Sequence, residues 1–517
     1  MGLLSQTNFY YCRSNSQAII TCGRLLSQTN FYYCRYLSPP EDGEDVTEPM
    51  VNPLLNPDVA PPPDDEPNDT TEKKKFVADA HYDLFYVPEA VAELDFDGLT
   101  DDEKNLILRI KDMREGMVKY DQATFINTVT KLREALFKSI NTNAAVEYGT
   151  PDNVARTMME VNIHRFGFDK TISQVMELNL ALRESSGFND FRKRAAWICK
   201  NYNRNYLRTE YDTAISVGQN AAAWNRFKRE QNLYPYLKYQ TAGDSRVRPK
   251  HAALDGKIFA VNDTSWRGIY PPNGYRCRCE MLQLSRDEVN PVDVFGGEQA
   301  KAALGREWDN MVKTGFDKNR GETNEVFDLN KTYLSLIADK EMEKRLGEKA
   351  IEMSDIDYKY LGYPSYSDME KTKLNKIARD TLTSPEQMLK DFDHNKREVD
   401  GVSVIELPDY AGRTVGLPRK VFKKHLSGNY INNIQERDKI FNNVPDILLH
   451  PDEVWMHVEK AITNYYYIRF YQDDMMIVPV KTEKKITMTS WFKLYQGKDS
   501  TVGEIDYRKG VIIYKKN

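Results

Sequence analysis

Residues Tyr239–Leu282 read YQTAGDSRVRPKHAALDGKIFAVNDTSWRGIYPPNGYRCRCEML. No helical or strand period runs through them. Special residues recur instead: Asp244, Arg246, Arg248, His251, Asp255-Gly256, Trp266, Pro271-Pro272-Asn273-Gly274, then Cys277, Arg278 and Cys279. Such a stretch buries little apolar surface of its own, so a hydrogen-bond network, a metal or a partner must hold it. Asp244, His251, Cys277 and Cys279 carry zinc-ligand atom types. Cys-x-Cys sets two side chains on one face of an extended strand, a less common chelating spacing than Cys-x-x-Cys. Two other readings stand beside the metal. In one, Asp244 pairs with an arginine and His251 is a satisfied buried histidine. In the other, Arg246, Arg248, Arg276 and Arg278 contact phosphates.

Upstream, the pattern is helical. Thr100 and Glu103 form a capping-box pair before Leu106, Ile110, Met113 and Met117, which recur on one face. Further helical runs are expected at 121–141, 151–164, 170–184, 188–200 and 203–230. In the last, Leu207, Tyr211, Ala214, Gly218 and Ala221 share a face whose small residues admit a close helix neighbour. Arg208 and Glu210 set charges beside that face.

These residues resemble the Mu gpF-like family of phage minor head, or head-morphogenesis, proteins. The match rests on Leu207-Arg208-Thr209-Glu210, Thr241, Asp244, Arg246, Arg248, His251, Asp255-Gly256, Trp266, Pro271-Pro272, Asn273-Gly274 and Cys277-Arg278-Cys279. It covers roughly residues 150–290. The resemblance implies a low-copy component of a tailed-phage or prophage head. Portal and capsid proteins would be its partners and phage DNA would lie nearby. It would be made in the bacterial cytoplasm and end in the virion. Catalysis is not implied, and no role for the histidine and cysteines follows from the family.

Downstream, 301–400 reads as a helical connector, with helices at Glu341–Met353 and Met369–Ala378. Then Val402–Leu407 is a strand and Pro418–Ile440 is helical with a break at Ser427-Gly428-Asn429. Pro451–Ile462 is expected as a helix, with Pro451 at its start and Asp452-Glu453 in its first turn. Strands follow at Tyr465–Tyr471, Met475–Lys481, Lys485–Phe492 and Gly510–Lys515. Helices followed by an antiparallel meander indicate a compact α+β domain. The expected fold class is α+β multidomain: a mostly helical region, then a small domain with helices on an antiparallel sheet.

This C-terminal part resembles the phage-borne branch of the barnase, EndoU, colicin E5/D and RelE-like ribonucleases. The features are Lys423-Lys424-His425, the step from Ile447 to Trp455, Tyr466-Tyr467 with Arg469, and Thr489-Ser490-Trp491-Phe492. The resemblance implies cleavage of RNA, with host RNA as substrate, and no cofactor. The ribose 2′-hydroxyl would attack phosphorus while a base and an acid move protons. His425 is the candidate base or acid, because imidazole titrates near neutrality. Arg469, Lys420 and Lys424 are candidates to hold the phosphate, and Thr489 or Ser490 to donate a hydrogen bond to it. Trp491 and Tyr467 are candidates to stack on a base, beside Lys423. The bland alternatives are a solvated lysine face and core aromatics, and the domain could equally be an inactive binding module.

Composition fits this division. The 517 residues carry a net charge of −5 and 40% hydrophobic residues, which excludes a wholly disordered chain. No run approaches the roughly 18 apolar residues of a membrane span. Between Tyr36 and Glu72 lie eleven acids, nine prolines and no Lys or Arg, the composition of an extended linker. Lys238–Arg286 has nine basic residues against four acids, and 401–517 has eighteen against fourteen. LLSQTNFYYCR occurs at Leu3–Arg13 and again at Leu25–Arg35, two copies being too few for a solenoid. Ala18–Ile20 is too short for a signal-peptide core. Six cysteines are too sparse for a disulfide scaffold: Cys12, Cys22 and Cys34 read as free thiols and Cys199 as buried. The expected division is 1–75 poorly ordered repeat and linker, 76–300 head-morphogenesis domain, 301–400 connector and 401–517 nuclease-like domain.

Overall fold

The computed structural model describes residues 98–112, 117–140 and 147–516, apart from positions 336, 433, 461 and 496–501. The N-terminal repeat, the acidic Pro-rich stretch, Cys12, Cys22, Cys34 and Met113 lie outside the described residues.

The Thr100 capping box forms. The Glu103 amide donates to Thr100 Oγ1 at 3.3 Å, and the Thr100 amide donates to Glu103 at 2.7 Å. It opens α1 (Asp101–Lys111). Helices α2 (Gln122–Ser139), α3 (Pro151–Glu184), α4 (Phe188–Lys200) and α5 (Leu207–Glu230) follow, the last two joined by a π-helical turn at Asn201–Tyr206. The two helices expected at 151–164 and 170–184 are one. Gly167 does not break it: a Cβ there would meet Val129 of α2 at 2.4 Å, so the glycine is where two helices touch. Helix α3 is buried almost all round, and some of its polar side chains tie it to other segments. Asn162 bonds the backbone of Val326 and Phe327 at 2.8–2.9 Å, and Lys170 pairs with Glu210 of α5. The small-residue face of α5 meets α2 as its composition demands, with Gly218 against Leu136 and Ser139.

The Tyr239–Leu282 stretch is loop-rich around a three-stranded antiparallel sheet of β1 (Tyr236–Gln240), β2 (Ile258–Ala260) and β3 (Glu280–Leu284), order β2-β1-β3, with the short α6 (Pro249–Ala252). Its core gathers Trp224, Phe227, Tyr239, Trp266 and Tyr270 with both cysteines. Beyond it come α7 (Gly297–Leu304), α8 (Arg306–Thr314), α9 (Arg320–Thr323), α10 (Ile337–Leu346) and α11 (Pro385–Asn395). The helix expected at Glu341–Met353 is α10, which starts four residues earlier and ends seven earlier; it stops at Gly347, which sits at φ 72°. Met369–Ala378 is not a helix. Only Lys371–Lys373 makes a 3-10 turn, and the segment is tied instead by distant side chains. Asp473 accepts from the Ile377 amide at 3.0 Å, and Asn443 brackets Ala378 at 2.8 and 3.2 Å.

The C-terminal part is built on a nine-stranded mixed sheet. Its strands are β4 (Arg397–Val399), β5 (Val402–Pro408), β6 (Thr414–Pro418), β7 (Glu453–Glu459), β8 (Ile462–Phe470), β9 (Met475–Thr482), β10 (Ile486–Met488), β11 (Phe492–Lys493) and β12 (Val511–Lys515). The order is β12-β7-β8-β9-β10-β6-β5-β4, with β11 on β9. The β7–β10 meander is antiparallel, and β10 pairs β6 in parallel. Helices α12 (Arg419–His425), α13 (Arg437–Ile440), α14 (Val444–Leu449) and α15 (Val502–Tyr507) complete it. The fold class is thus α+β. The helix expected at Pro451–Ile462 is strand β7, with Trp455 opposite Tyr466. Val454, Trp455 and Met456 are all buried, and a strand buried on both faces reads as a continuous apolar run that periodicity cannot tell from a helix. Glu453 serves no helix dipole. It bonds the buried Arg508 at 2.6 and 2.7 Å and accepts from Trp455 Nε1 at 2.7 Å.

Helices and sheet share one apolar core that runs from Leu106 and Phe125 to Val454 and Val480. Polar bonds cross the same boundary: Arg156 to the Ala411 carbonyl at 3.1 Å, and Gln122 to the Ile512 carbonyl at 2.8 Å. Among the described residues, no helix is long and apolar enough to cross a membrane.

Candidate functional site

Helix α12 carries three exposed lysines, Lys420, Lys423 and Lys424, and turns Phe422 and His425 inward. His425 Nδ1 lies 2.8 Å from the Val421 carbonyl, one turn back. A carbonyl only accepts, so Nδ1 carries the proton and Nε2 of the neutral ring presents a lone pair. That lone pair faces Ser490 Oγ at 3.2 Å. Ser490 in turn accepts from Arg437 Nη1 at 2.6 Å. The Tyr430 ring lies 4.8 Å from the imidazole and 4.6 Å from the Arg437 guanidinium, and Lys424 stands over it at 5.6 Å. Three chain segments meet here: α12, the turn into α13, and the loop after β10.

Burial pushes the imidazole down. The Val421 bond works against that, and Arg437 and Lys424 push it further, to about 4. His425 is therefore neutral at pH 7. Burial also lowers Arg437 to about 10, so it stays charged. No carboxylate lies in ion-pair range of Arg437 among the described residues. A buried cation without a counter-ion is costly, and an anion arriving at Ser490 would relieve it.

The other expected site residues fall elsewhere. Thr489 gives its hydroxyl and its amide to the Pro479 carbonyl at 3.1 and 3.0 Å. Arg469 pairs with Asp446 and reaches the His450 carbonyl at 3.2 Å, so none of its partners belongs to the His425 group. Trp491 and Tyr467 are fully buried and present no ring face to a base. Trp491 donates to the Arg437 carbonyl at 2.9 Å and packs on Phe422, Phe441 and His425. Tyr467 is locked between Asp409 at 2.6 Å and Arg413 at 3.0 Å. Arg437 and Tyr430 were not singled out from sequence. A signal existed, an arginine within a glycine- and asparagine-rich break, but nothing local tied it to His425.

The second cluster is the one around Cys-x-Cys. Helix α5 docks on that backbone: Ser216 donates to the Cys277 carbonyl at 2.6 Å and Asn220 to the Cys279 carbonyl at 3.3 Å. Arg276, at φ 57°, directs its amide to Thr213 at 2.9 Å and its side chain to Asp212 at 3.1 Å. Both sulfurs face one nitrogen, with His251 Nδ1 at 3.7 Å from Cys277 Sγ and 3.8 Å from Cys279 Sγ. Asp244 does not join them. It is exposed and clamped by Arg278 at 2.6 and 2.7 Å, with Arg246 at 3.6 Å. Arg248 donates to the Tyr275 carbonyl at 2.8 Å and packs against Gly274. Asp255, followed by Gly256 at φ 74°, accepts from the Thr241 amide and hydroxyl at 2.7 and 3.0 Å. Trp266 is fully buried and donates to the Ala260 carbonyl at 2.8 Å; Pro272 is buried as well. Glu210 is buried between Lys170 and the Tyr333 hydroxyl, the latter at 2.5 Å, while Arg208 is exposed. Most of these residues hold the stretch together rather than opening a site.

Residues 173–282 match the Phage Mu protein F like protein family, and residues 379–515 match the family described as phage-Barnase-EndoU-ColicinE5/D-RelE like nuclease2. A putative capsid assembly protein F of Escherichia phage Mu is 32% identical over 116 residues, 22% of this chain and 26% of that protein. The Mu-like prophage FluMu F protein of Haemophilus influenzae is 33% identical over 116 residues, 22% of this chain and 27% of its own. The chain spans about a quarter of the length of these curated relatives. No solved structure matches. The chain thus carries a segment similar to the Phage Mu protein F like family, followed by a C-terminal segment similar to the phage-Barnase-EndoU-ColicinE5/D-RelE like nuclease2 family.

Proposed function

We propose that this chain is a minor head protein of a tailed phage or prophage, associated with the portal, whose C-terminal domain is a metal-independent endoribonuclease. The head reading is supported by the match of 173–282 to the Phage Mu protein F like protein family and by the 116-residue likeness to the putative capsid assembly protein F of phage Mu. The nuclease reading rests on one arrangement: a neutral histidine whose free nitrogen faces a hydroxyl, beside a charged arginine with no acid partner among the described residues.

In this reading the substrate's 2′-hydroxyl takes the place of Ser490 at His425 Nε2 and loses its proton there. The 2′-oxygen bonds to phosphorus, the bond from phosphorus to the 5′-oxygen breaks, and the leaving oxygen takes a proton from solvent. Arg437, with Lys424 at the rim, stabilises the charge that builds on the phosphorane. Ser490 donates to a phosphate oxygen. The cationic face of α12 draws in the RNA backbone.

The full chain, incubated with tRNA and mixed RNA in EDTA, is expected to cut, and His425→Ala to be inert. Failure of the wild type on every RNA would leave the domain a binding module. Mass spectrometry of purified particles is expected to find a few copies beside the portal, and its absence from particles would overturn the head reading.

A further inference from the structure

We propose that His251, Cys277 and Cys279 form a zinc site that fastens the Cys-x-Cys loop to its surroundings, with Glu307 orienting the histidine. The three ligand atoms lie within 4.8 Å of one another and all three residues are buried. Tetrahedral zinc, with Zn–S near 2.3 Å and Zn–N near 2.0 Å, sets nitrogen and sulfur about 3.6 Å apart. The distances here are 3.7 and 3.8 Å, so both nitrogen–sulfur pairs already stand close to the spacing the ion requires. Two thiolates with one imidazole suit zinc over the hard, oxygen-seeking cations.

The surroundings are those of a prepared site. Ser216 and Asn220 of α5 hold the carbonyls of both cysteines, which fixes the backbone that carries the two sulfurs. His251 lies on α6 and directs Nδ1 at the sulfurs. Its other nitrogen is buried without a good hydrogen bond, and Glu307 of α8 stands 3.5 Å away. A carboxylate behind a histidine is the usual means of fixing the ring for a metal. Asp244 is excluded as a ligand by its bonds to Arg278. No fourth His, Cys, Asp or Glu joins the group among the described residues, which leaves the fourth position to water.

A competing reading makes Cys277 a nucleophile activated by His251 and Glu307. The second sulfur, at nearly the same distance from the same nitrogen, has no task in such a triad, whereas it is required in a metal site. A metal also answers how this loop-rich stretch keeps its shape, because metal binding contributes directly to folding.

The test uses the full chain, purified under reducing conditions from zinc-supplemented cells. About one zinc per chain is expected by elemental analysis, and Cys199→Ser should keep it. His251→Ala and Cys277→Ser should fall below about a tenth of an equivalent. Because those variants could unfold, two measurements avoid them. Cobalt(II) added to the stripped wild type should give the absorption of a tetrahedral, thiolate-bound ion. Glu307→Gln should weaken zinc about 10- to 100-fold in a chelator competition while still binding one ion at saturation. Less than a tenth of a zinc in the wild type, together with no cobalt spectrum, overturns the proposal. So does alkylation of Cys277 and Cys279 at a rate that added zinc leaves unchanged.

Discussion

Arg413, in the turn just before β6, stands 3.7 Å from Glu160 of the long helix α3, and both are buried. Arg133 of α2 bonds the same carboxylate at 2.7 Å, while Asp409 and Tyr467 hold Arg413 from the sheet side. A charge network therefore bridges the helices and the sheet. Burial alone would raise the Glu160 carboxyl, but the neighbouring guanidinium groups, Arg133 and Arg413 foremost, outweigh it and hold it at about 2. Glu160→Gln strands part of that positive charge. It should cost roughly 3 kcal/mol, read as a lower urea midpoint at unchanged slope. The folded-state value lies below the ordinary one of 4.5. This contribution is therefore complete above pH 4.5 and lost as pH falls from there toward 2.

The pH profile of cleavage should reveal His425. Its folded-state value near 4 means that the base form persists well below the usual 6.5. The rate should hold from neutrality down to pH 5 and decline with a midpoint near 4. A midpoint near 6.5 would mean that the ring is not held as the structure shows it. The sign for stability is the same. The unfolded chain takes up its proton first, so this contribution fades as pH drops from 6.5 to 4. His425→Ala should lower the rate about 10²- to 10⁴-fold.

Arg437→Gln should reduce cleavage about 10²- to 10³-fold, and Arg437→Lys should recover part of it. The fold should survive, because Trp491 bonds the Arg437 carbonyl rather than its side chain. Exposed Lys423→Ala, measured in the same assay, should change the rate by no more than a few fold.

Trp491→Ala tests core against platform. The ring is fully buried among Phe422, Phe441 and His425. The expected loss is about 3–5 kcal/mol of stability by thermal or denaturant unfolding. Trp491→Phe should keep RNA affinity unchanged, which a stacking platform would not.

Gly218→Val tests the helix contact. A Cβ there would meet Ser139 Oγ at 2.1 Å and Leu136 at 3.2 Å. Forcing α5 away from α2 should cost about 1–3 kcal/mol, seen as a lower melting temperature, beyond the small propensity change.

Local signals were legible where their cause is local. The Thr100 capping box spans four residues and needs nothing else. The small face of α5 follows from spacing along one helix, and the turn between Phe470 and Met475 from Gln472-Asp473-Asp474. Where a segment is wrapped by others, the same signals misled. Pro451-Asp452-Glu453 looks like a helix start, yet β7 is a strand because β8 and β12 supply its hydrogen bonds. Met369–Ala378 looks helical, yet Asp473 and Asn443 take its amides.

By itself the sequence determined the α+β class, the two family resemblances, and the presence of an imidazole and cysteines able to do chemistry. Only the tertiary structure decided which groups meet. It placed Ser490 rather than Thr489 at His425 and brought Arg437 to both. It buried Trp491 and Tyr467 and set Glu307 behind His251 while Asp244 turned to Arg278. The reason is physical: caps and periodicity act over one or two turns of chain, whereas these meetings depend on sheet register and helix crossings between residues tens of positions apart.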